Sequence, residues 1–309
     1  MAKFENITKK FNLRYLNAKL MKFIKRNSSI IILTVKITML FFILFSYIKL
    51  ISLPEEKQFK YAELNQGSLK SDLIFSYLTY RFPDNSEYYR ERSVAYNKRG
   101  LYHQGFTYLD KAVQLKPVSH LGYRGWIKLY KIRDYQGALN DFIKLDSLTV
   151  LHIDYPMSEN IHMLKAVCLF KLNKRSEALK EFDSAVKTTA ENARDYKINL
   201  YYAIALFEIG DLDESLKLIN QVLEDYPKSS DANYYLGKVL YEQKKYSAAS
   251  IYLKKAKDFF LSGNVLKDIY NELPFEIYME DIDEIFIKNE KAKHSITLGS
   301  VTSTASLDN

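Results

Sequence analysis

Side chains capable of covalent or metal chemistry are few in this chain and poorly placed for it. The five histidines, His103, His120, His152, His162 and His294, include no H-E-x-x-H pair, and the one cysteine, Cys168, has no Cys or His partner at ligand spacing. Cradling a phosphate or exposing a nucleophile on a sharp turn needs glycines at fixed offsets, and neither a G-x-G-x-x-G, a Walker loop nor a G-x-S-x-G is present. The acidic clusters Asp211-Leu212-Asp213-Glu214 and 280–284 lack the alternating ligands, central glycine and later glutamate of a calcium loop. The first reads as helix-start carboxylates favoured by the helix dipole, and the second as a solvated face. No catalytic residue, cofactor site or metal site is expected. The chemistry left to the chain is recognition, through aromatic rings that give large contact area at small entropic cost and lysines that can meet carboxylates.

The elements that would position such rings are short helices in pairs. Residues 201–227, YYAIALFEIGDLDESLKLINQVLEDYP, read as two amphipathic helices separated by Gly210-Asp211 and stopped by Pro227. Tyr202, Ala203, Leu206 and Ile209 recur at helical spacing in the first, and Leu212, Leu216, Ile219, Val222 and Leu223 in the second. Helices this short are marginal alone, so neighbours must cover their apolar faces. Small residues twelve apart, where the paired helices can approach closely, recur as Ser93 and Gly105, Ala166 and Ala178, Ala203 and Ser215, and Gly237 and Ala249. A further copy is irregular: Ala138 fills its second slot, Trp126 stands in the first, and Gly125 is one residue out of register. Five hairpins are counted, and the pair around Gly210 and Lys244 is offset by 34 residues.

On these residues the chain resembles the tetratricopeptide repeat family. Tyr89, Tyr96, Gly100, Tyr102, Ala112 and Pro117 match the family's aromatic, turn and terminator slots in the first copy. Tyr135, Ala138 and Phe142 match in the second, and Ala166, Leu169, Ala178, Phe182 and Ala185 in the third. Residues 201–227 form the fourth, and Leu236, Gly237, Tyr246, Ala249, Leu253 and Ala256 the fifth. The resemblance spans residues 84–260. It departs from the family in lacking a terminating proline after the second, third and fifth copies, and in longer connectors at 146–157 and 187–194.

The resemblance implies an all-α solenoid whose first helices line a concave groove, with a protein or peptide as the partner. The positions similar to groove slots are Tyr123, Tyr130, Phe170, Phe207, Tyr234 and Tyr241, with Lys98, Lys131 and Lys171 beside them. Tyr130, Phe170, Phe207 and Tyr241 are expected at equivalent places on successive helices. The lysines would make the first half of the groove basic, and Glu208 and Glu242 the second half acidic. A carboxylate clamp of the chaperone-binding kind is not expected, because Val94 stands where that subgroup has asparagine.

Composition and charge bound the rest. In 309 residues, 47% hydrophobic, Gly and Pro number only 10 and 6, which favours helix over an all-β fold. The net charge of +8 is concentrated: residues 1–29 hold Lys3, Lys9, Lys10, Arg14, Lys19, Lys22, Lys25 and Arg26 against Glu5 alone, which argues against nucleic-acid binding by the remainder. Residues 30–53 follow as an apolar run whose first nineteen positions carry only Lys36, enough as a helix to cross a bilayer. Lys36 lies near the basic end, where its stem can snorkel. The run is longer than a signal peptide's apolar region and no A-x-A site follows, so a retained single transmembrane helix is expected. Positive charge before the span predicts a cytoplasmic N-terminus and an extracytoplasmic repeat domain. Rich Lys, Ile and Asn usage points to an AT-rich genome, hence to a bacterial inner membrane with the repeats in the periplasm.

The expected organisation is a basic arm (1–29), the span (30–53), a charged linker (54–67), a repeat domain with capping helices (68–288) and a disordered Ser/Thr-rich tail (289–309). Within it, 68–82 is expected as a capping helix whose own first helix is missing, and 265–270 and 274–288 as further helices. The function expected is a membrane-anchored interaction scaffold. The alternative is a periplasmic chaperone or assembly factor of a secretion or envelope-biogenesis complex, and an enzyme in the C-terminal fifty residues lacks any convergent polar motif.

Overall fold

A computed structural model describes residue 22 and residues 25–189 and 196–305, with the side chains of 296–305 left out. Most of the basic arm and part of the 187–194 connector lie outside the described residues. Those described form helices and connecting loops without strands. In chain order the helices are α1 Ser28–Ile51, α2 Glu55–Leu64, α3 Leu69–Arg81, α4 Ser86–Lys98, α5 Tyr102–Leu115, α6 Pro117–Tyr130 and α7 Tyr135–Leu148, then α8 Ile161–Lys171, α9 Arg175–Thr188, α10 Tyr196–Ile209, α11 Leu212–Asp225, α12 Ser230–Glu242, α13 Tyr246–Leu261 and α14 Met279–Ala305. The chain divides into two compact units, Met1–Tyr108 and Leu109–Asn309, the division falling within α5.

The first unit corrects the expected linker. Glu55–Leu64 is a helix, and it is the partner that α3 was expected to lack. Its sequence EEKQFKYAEL is charged on most faces, so periodicity hides it. What it buries is one Ala62 and one Gln58, with Phe59 packed beside Phe75 and Tyr88. The hairpin turns at Gly67, whose φ of +89° suits glycine, and Ser68 caps α3 by accepting from the Ser71 N–H at 3.1 Å. Ser71 Oγ then donates to the Ala62 carbonyl at 2.6 Å, joining the two helices. The apolar α1 runs for 24 residues, none of them buried. Its final carbonyl, Ile51 O, accepts from the Gln58 amide at 2.9 Å, and the same amide donates to Leu53 O just beyond the helix at 2.6 Å.

In the second unit the hairpins α6/α7, α8/α9, α10/α11 and α12/α13 pack in sequence around one hydrophobic core. The expected close-approach residues Ala166, Ala178, Ala203, Ser215 and Ala249 are fully buried. Ser215 Oγ donates to Ala203 O at 2.8 Å, repeating the Ser-to-Ala contact of the first unit. A Cβ on Gly237 would come within 2.6 Å of the Leu253 side chain, so only glycine fits there.

The irregular copy resolves into a longer turn. Each first helix from α4 onward ends in a left-handed residue: Gly100, Arg133, Asn173, Gly210 and Lys244. In four of these the residue after it donates to a carbonyl five back, as Asp211 N–H does to Leu206 O. After α6 the bond runs six back, from Asp134 N–H to Lys128 O at 2.9 Å. One extra residue in that turn stretches the twelve-residue spacing to thirteen, and Gly125 is the close-approach residue: a Cβ there would lie 2.7 Å from the Phe142 ring. Trp126 stands one position round the helix.

Ion pairs staple first helices to second ones. The Arg124 guanidinium grips the buried Asp141 carboxylate at 2.6 and 2.9 Å, with Lys128 at 2.8 Å. Lys165 bridges Asp146 at 2.7 Å and Glu181 at 3.1 Å. Cys168 is buried among apolar side chains, and burial holds its thiol well above the usual range, as expected of a packing residue.

The C-terminal expectations shift. Residues 264–278 form no helix, so the short helix expected at 265–270 is absent and the later one starts at Met279. Tyr278 N–H donates to Asp281 Oδ2 at 2.8 Å, an acceptor that fixes the start of α14. The helix also continues past 289, where a tail was expected. Asn289, fully buried, donates to Tyr246 O at 3.0 Å and Ser250 Oγ at 2.9 Å, and Glu290 accepts from Ser250, so α13 supplies a surface the sequence pattern does not show.

The left-handed turn residues give a direct test. Lys244→Gly relieves a φ of +59° on a side chain that ends in solvent and should raise the stability of the domain by about 1 kcal/mol. Gly237→Val should lower it by about 1–3 kcal/mol through overpacking against Leu253. Thermal melts followed by circular dichroism read both, and an unmoved Gly237→Val melt would refute the close-approach assignment.

Candidate partner-binding groove

The face that each first helix shows is set by its close-approach residue, since one residue further turns a side chain by about 100°. Counted four on from Gly125, Ala166, Ala203 and Gly237, the equivalent residues are Leu129, Phe170, Phe207 and Tyr241. Counted five on, they are Tyr130, Lys171, Glu208 and Glu242. Tyr130 therefore leaves the expected aromatic stripe. It is buried, its hydroxyl donates to Glu159 Oε1 at 3.0 Å, and the Trp126 indole donates to Oε2 of the same carboxylate at 3.1 Å. Lys197 pairs with Glu159 from α10. Burial, followed by the Glu159 charge, holds the Tyr130 phenol well above its ordinary value.

Three of the expected residues meet around residues 264–278, which cross this face as an extended strap. The Phe275 ring lies 5.4 Å from that of Phe170 and 4.9 Å from that of Tyr201, both edge-on, and Lys171 Nζ stands 4.8 Å from its centroid. Lys131 Nζ donates to the Tyr270 carbonyl, and Arg133 pairs with Glu272 at 2.7 Å. At the other end Leu266 N–H donates to the buried Asp231 carboxylate at 2.8 Å, near the start of α12. The strap thus touches the ends or middles of α6, α8, α10 and α12, and it is held by side chains more than by its own backbone bonds. Leu273 and Ile277 bury themselves in the main core.

Two more expected residues gather at Lys238. Its ammonium lies 4.6 Å from the Phe207 centroid, 5.1 Å from Tyr235 and 5.5 Å from Tyr234, with Glu208 Oε1 at 3.9 Å. Burial depresses the Lys238 pKa, while Glu208 and Asp281 oppose the shift. Tyr234 is buried, and Tyr241 is half-buried with its ring 5.6 Å from Tyr246. Glu208 and Glu242 are exposed, as the acidic second half requires, although Lys238 interrupts it. Tyr123 is half-buried on α6. Lys98 belongs to the first unit, where it donates to Gln66 Oε1 at 3.2 Å.

Sequence reasoning missed Tyr201, Arg133, Lys238 and Phe275. Tyr201 and Tyr235 had a signal, since each falls two residues before a close-approach residue, as Tyr123 does. Phe275 had none, because it reaches its partners through a loop with no periodicity. Among the described residues no three or more His, Cys, Asp or Glu gather as a metal-holding group.

A family model described as tetratricopeptide repeat matches residues 201–260. No curated protein matches the sequence. Among solved structures, the type IV pilus biogenesis factor PilW is similar with a TM-score of 0.53 at 12% identity, over 70% of this chain and 89% of that one. MamA, from residue 41 to its end, of Desulfovibrio magneticus RS-1 gives 0.50 at 18% identity, over 57% and 96%. PilF of Pseudomonas aeruginosa gives 0.50 at 11%, over 62% and 84%. Likeness at these identities shows the fold alone.

The hold on the strap carries a pH signature. Asp231 is 2% exposed, and desolvation raises its carboxyl to about 6 despite the opposing hydrogen bond from Leu266. The folded chain therefore keeps a proton that the unfolded chain releases between about pH 4 and about pH 6, and stability from this group falls as pH rises through that window. Relative to Asp231→Asn, which has no such titration, the unaltered protein should lose about 1–3 kcal/mol between pH 4.5 and 7. Urea melts of both chains at the two pH values measure it, and a difference of opposite sign would show that the carboxylate is stabilised in its charged form.

Proposed function

We propose that this tetratricopeptide repeat protein is a non-catalytic scaffold that α1 anchors in a membrane and that binds an extended segment of a partner protein across the first-helix face of its second unit. The observation that carries the binding reading is the strap itself: rings and cations of successive first helices already close around a non-helical stretch of chain. Phe170 and Tyr201 offer ring edges and faces, Lys131, Arg133 and Lys171 offer positive charge, and Phe207 with Tyr241 continues the surface toward the exposed Glu208 and Glu242. Such a surface recognises aromatic and acidic side chains in sequence, which fixes the direction of an extended ligand. The anchor rests on α1, a helix of 24 residues with exposed Ile37, Phe41, Phe42 and Phe45 and one lysine within its apolar centre. The basic residues before it favour a cytoplasmic N-terminus, with the repeats across the membrane on the periplasmic side of a bacterial inner membrane.

Photo-crosslinkers placed at Glu208 and Glu242 should capture a partner from membranes, whereas one at Asn220, exposed on the second helix α11, should not. Replacing both Phe207 and Tyr241 by alanine should weaken that capture by about 2–4 kcal/mol while helicity is kept. Capture from Asn220 alone would move the binding surface off the groove. A periplasm-active reporter fused after Asn309 should be active, and activity of a cytoplasm-only reporter there would overturn the orientation.

A further inference from the structure

The strap is more than a connector, because its middle and its ends are held differently. At the ends it is built into the fold: Leu266 is tied to the buried Asp231, and Ile277 lies in the core at 2% exposure. The tip is held by contacts that another segment could replace, namely one ion pair from Glu272, one lysine on the Tyr270 carbonyl, the buried Leu273 side chain and one ring, Phe275, inserted between Phe170, Tyr201 and Lys171. The tip also fits imperfectly. Ile269 and Tyr270 expose 88% and 77% of their surface, and the Asn271 side-chain carbonyl is buried with no hydrogen-bond donor. Few backbone bonds brace it. Asp268 Oδ1 accepts from the N–H groups of Tyr270 at 2.7 Å and Asn271 at 3.0 Å, and Glu276 Oε2 accepts from that of Leu273 at 3.0 Å.

We propose that the tip, residues 269–275, is a resident ligand of the groove, and that the partner segment has the same chemistry: an aromatic side chain with a carboxylate three residues before it, entering by exchange with the tip. This rests on the groove reading above. The chemistry follows from the receptor. Arg133 and Lys131 hold a carboxylate and a carbonyl on one side, while Phe170 and Tyr201 meet the Phe275 ring at steep angles and Lys171 stands over that ring as a cation. Pro274, buried beside the ring, fixes one backbone torsion of the resident segment, so an incoming segment with proline there loses less freedom on ordering. The resident tip stands at a very high effective concentration, so it keeps the site closed to weak or wrong segments.

The probe is a dye-labelled peptide copying residues 268–278, titrated by fluorescence anisotropy against the full-length chain in detergent micelles. The unaltered chain should bind it weakly, and Phe275→Ala at least tenfold more tightly, because the resident ring no longer competes. Adding Phe170→Ala to that variant, or changing the peptide's own Phe275 to Ala or its Glu272 to Gln, should reverse the gain. Hydrogen exchange on the unaltered chain gives a reading that needs no variant: the amides of 269–275 should exchange at least a hundredfold faster than those of Ile277 and α10. Equal peptide affinity for both chains, no binding to either, collapse of the Phe275→Ala melt, or equal protection of tip and core would each make the strap a fixed part of the fold and overturn the inference. A strap found crosslinked to Phe170 of a second molecule would overturn it in favour of exchange between copies. Partner capture that requires Phe207 and Tyr241 yet ignores both the peptide and Phe275→Ala would leave the groove reading standing and remove only this step.

Discussion

Two helices can lie against each other at close range only where the facing side chains are small or absent, and this chain meets that demand with Gly, Ala and Ser at the facing slots of its hairpins. At Ser215 and Ser71 the hydroxyl donates to the facing carbonyl of Ala203 and Ala62, so close approach adds a hydrogen bond to dispersion contact, whereas Ser93 donates to Arg90 O of its own helix. Where Gly fills a slot, the opposing Leu253 or Phe142 occupies the space a Cβ would need. The rest depends on this fit. It sets the rotational phase of each first helix, and phase decides which side chains become core and which line the groove. Tyr130 and Phe170, alike in distance from their turns and both buried, meet different partners for that reason: Glu159 for the first, Phe275 for the second.

The groove is charged and aromatic at once, which is economical for a surface that must stay soluble. Lys238 and Lys171 rest on rings instead of standing free, so each cation is partly desolvated without an intimate carboxylate, and the half-buried Phe207 and Phe275 rings are covered by a cation. Glu159 does the reverse, a carboxylate from a loop satisfied by a phenol, an indole and an ammonium. Loops and first helices therefore share the work of building one face.

Much of the hairpin architecture was legible because its signal is local. The spacing of small residues, the αL turn at Gly210 and the apolar phases on either side lie within one repeat, where pattern reading is strongest. The failures have a common physical origin in features whose cause lies elsewhere in the chain. Glu55–Leu64 forms a helix because α3 and Tyr88 cover Phe59 and Ala62, not because its own pattern asks for one. The helix past Asn289 is held by Tyr246 and Ser250, some forty residues back. Of the proposed groove, the sequence shows that Phe170, Phe207 and Tyr241 share one repeat slot, while Phe275 and Arg133 come to that face only through tertiary structure. Tyr130 was misplaced because counting from the turn assumed a constant turn length.

The clamp of Gln58 on the Ile51 and Leu53 carbonyls has a mechanical consequence. A flexible linker of fourteen residues would let its cargo wander about 20 Å from its point of attachment. Here the apolar helix instead passes into α2 across a single Pro54 corner, with two hydrogen bonds from Gln58 bracing the bend and Glu55 bonded to the Tyr88 hydroxyl beyond it. The joint behaves as a bracket, not a tether. Tension or tilt applied to α1 is passed to the first hairpin, which keeps a constant azimuth relative to α1.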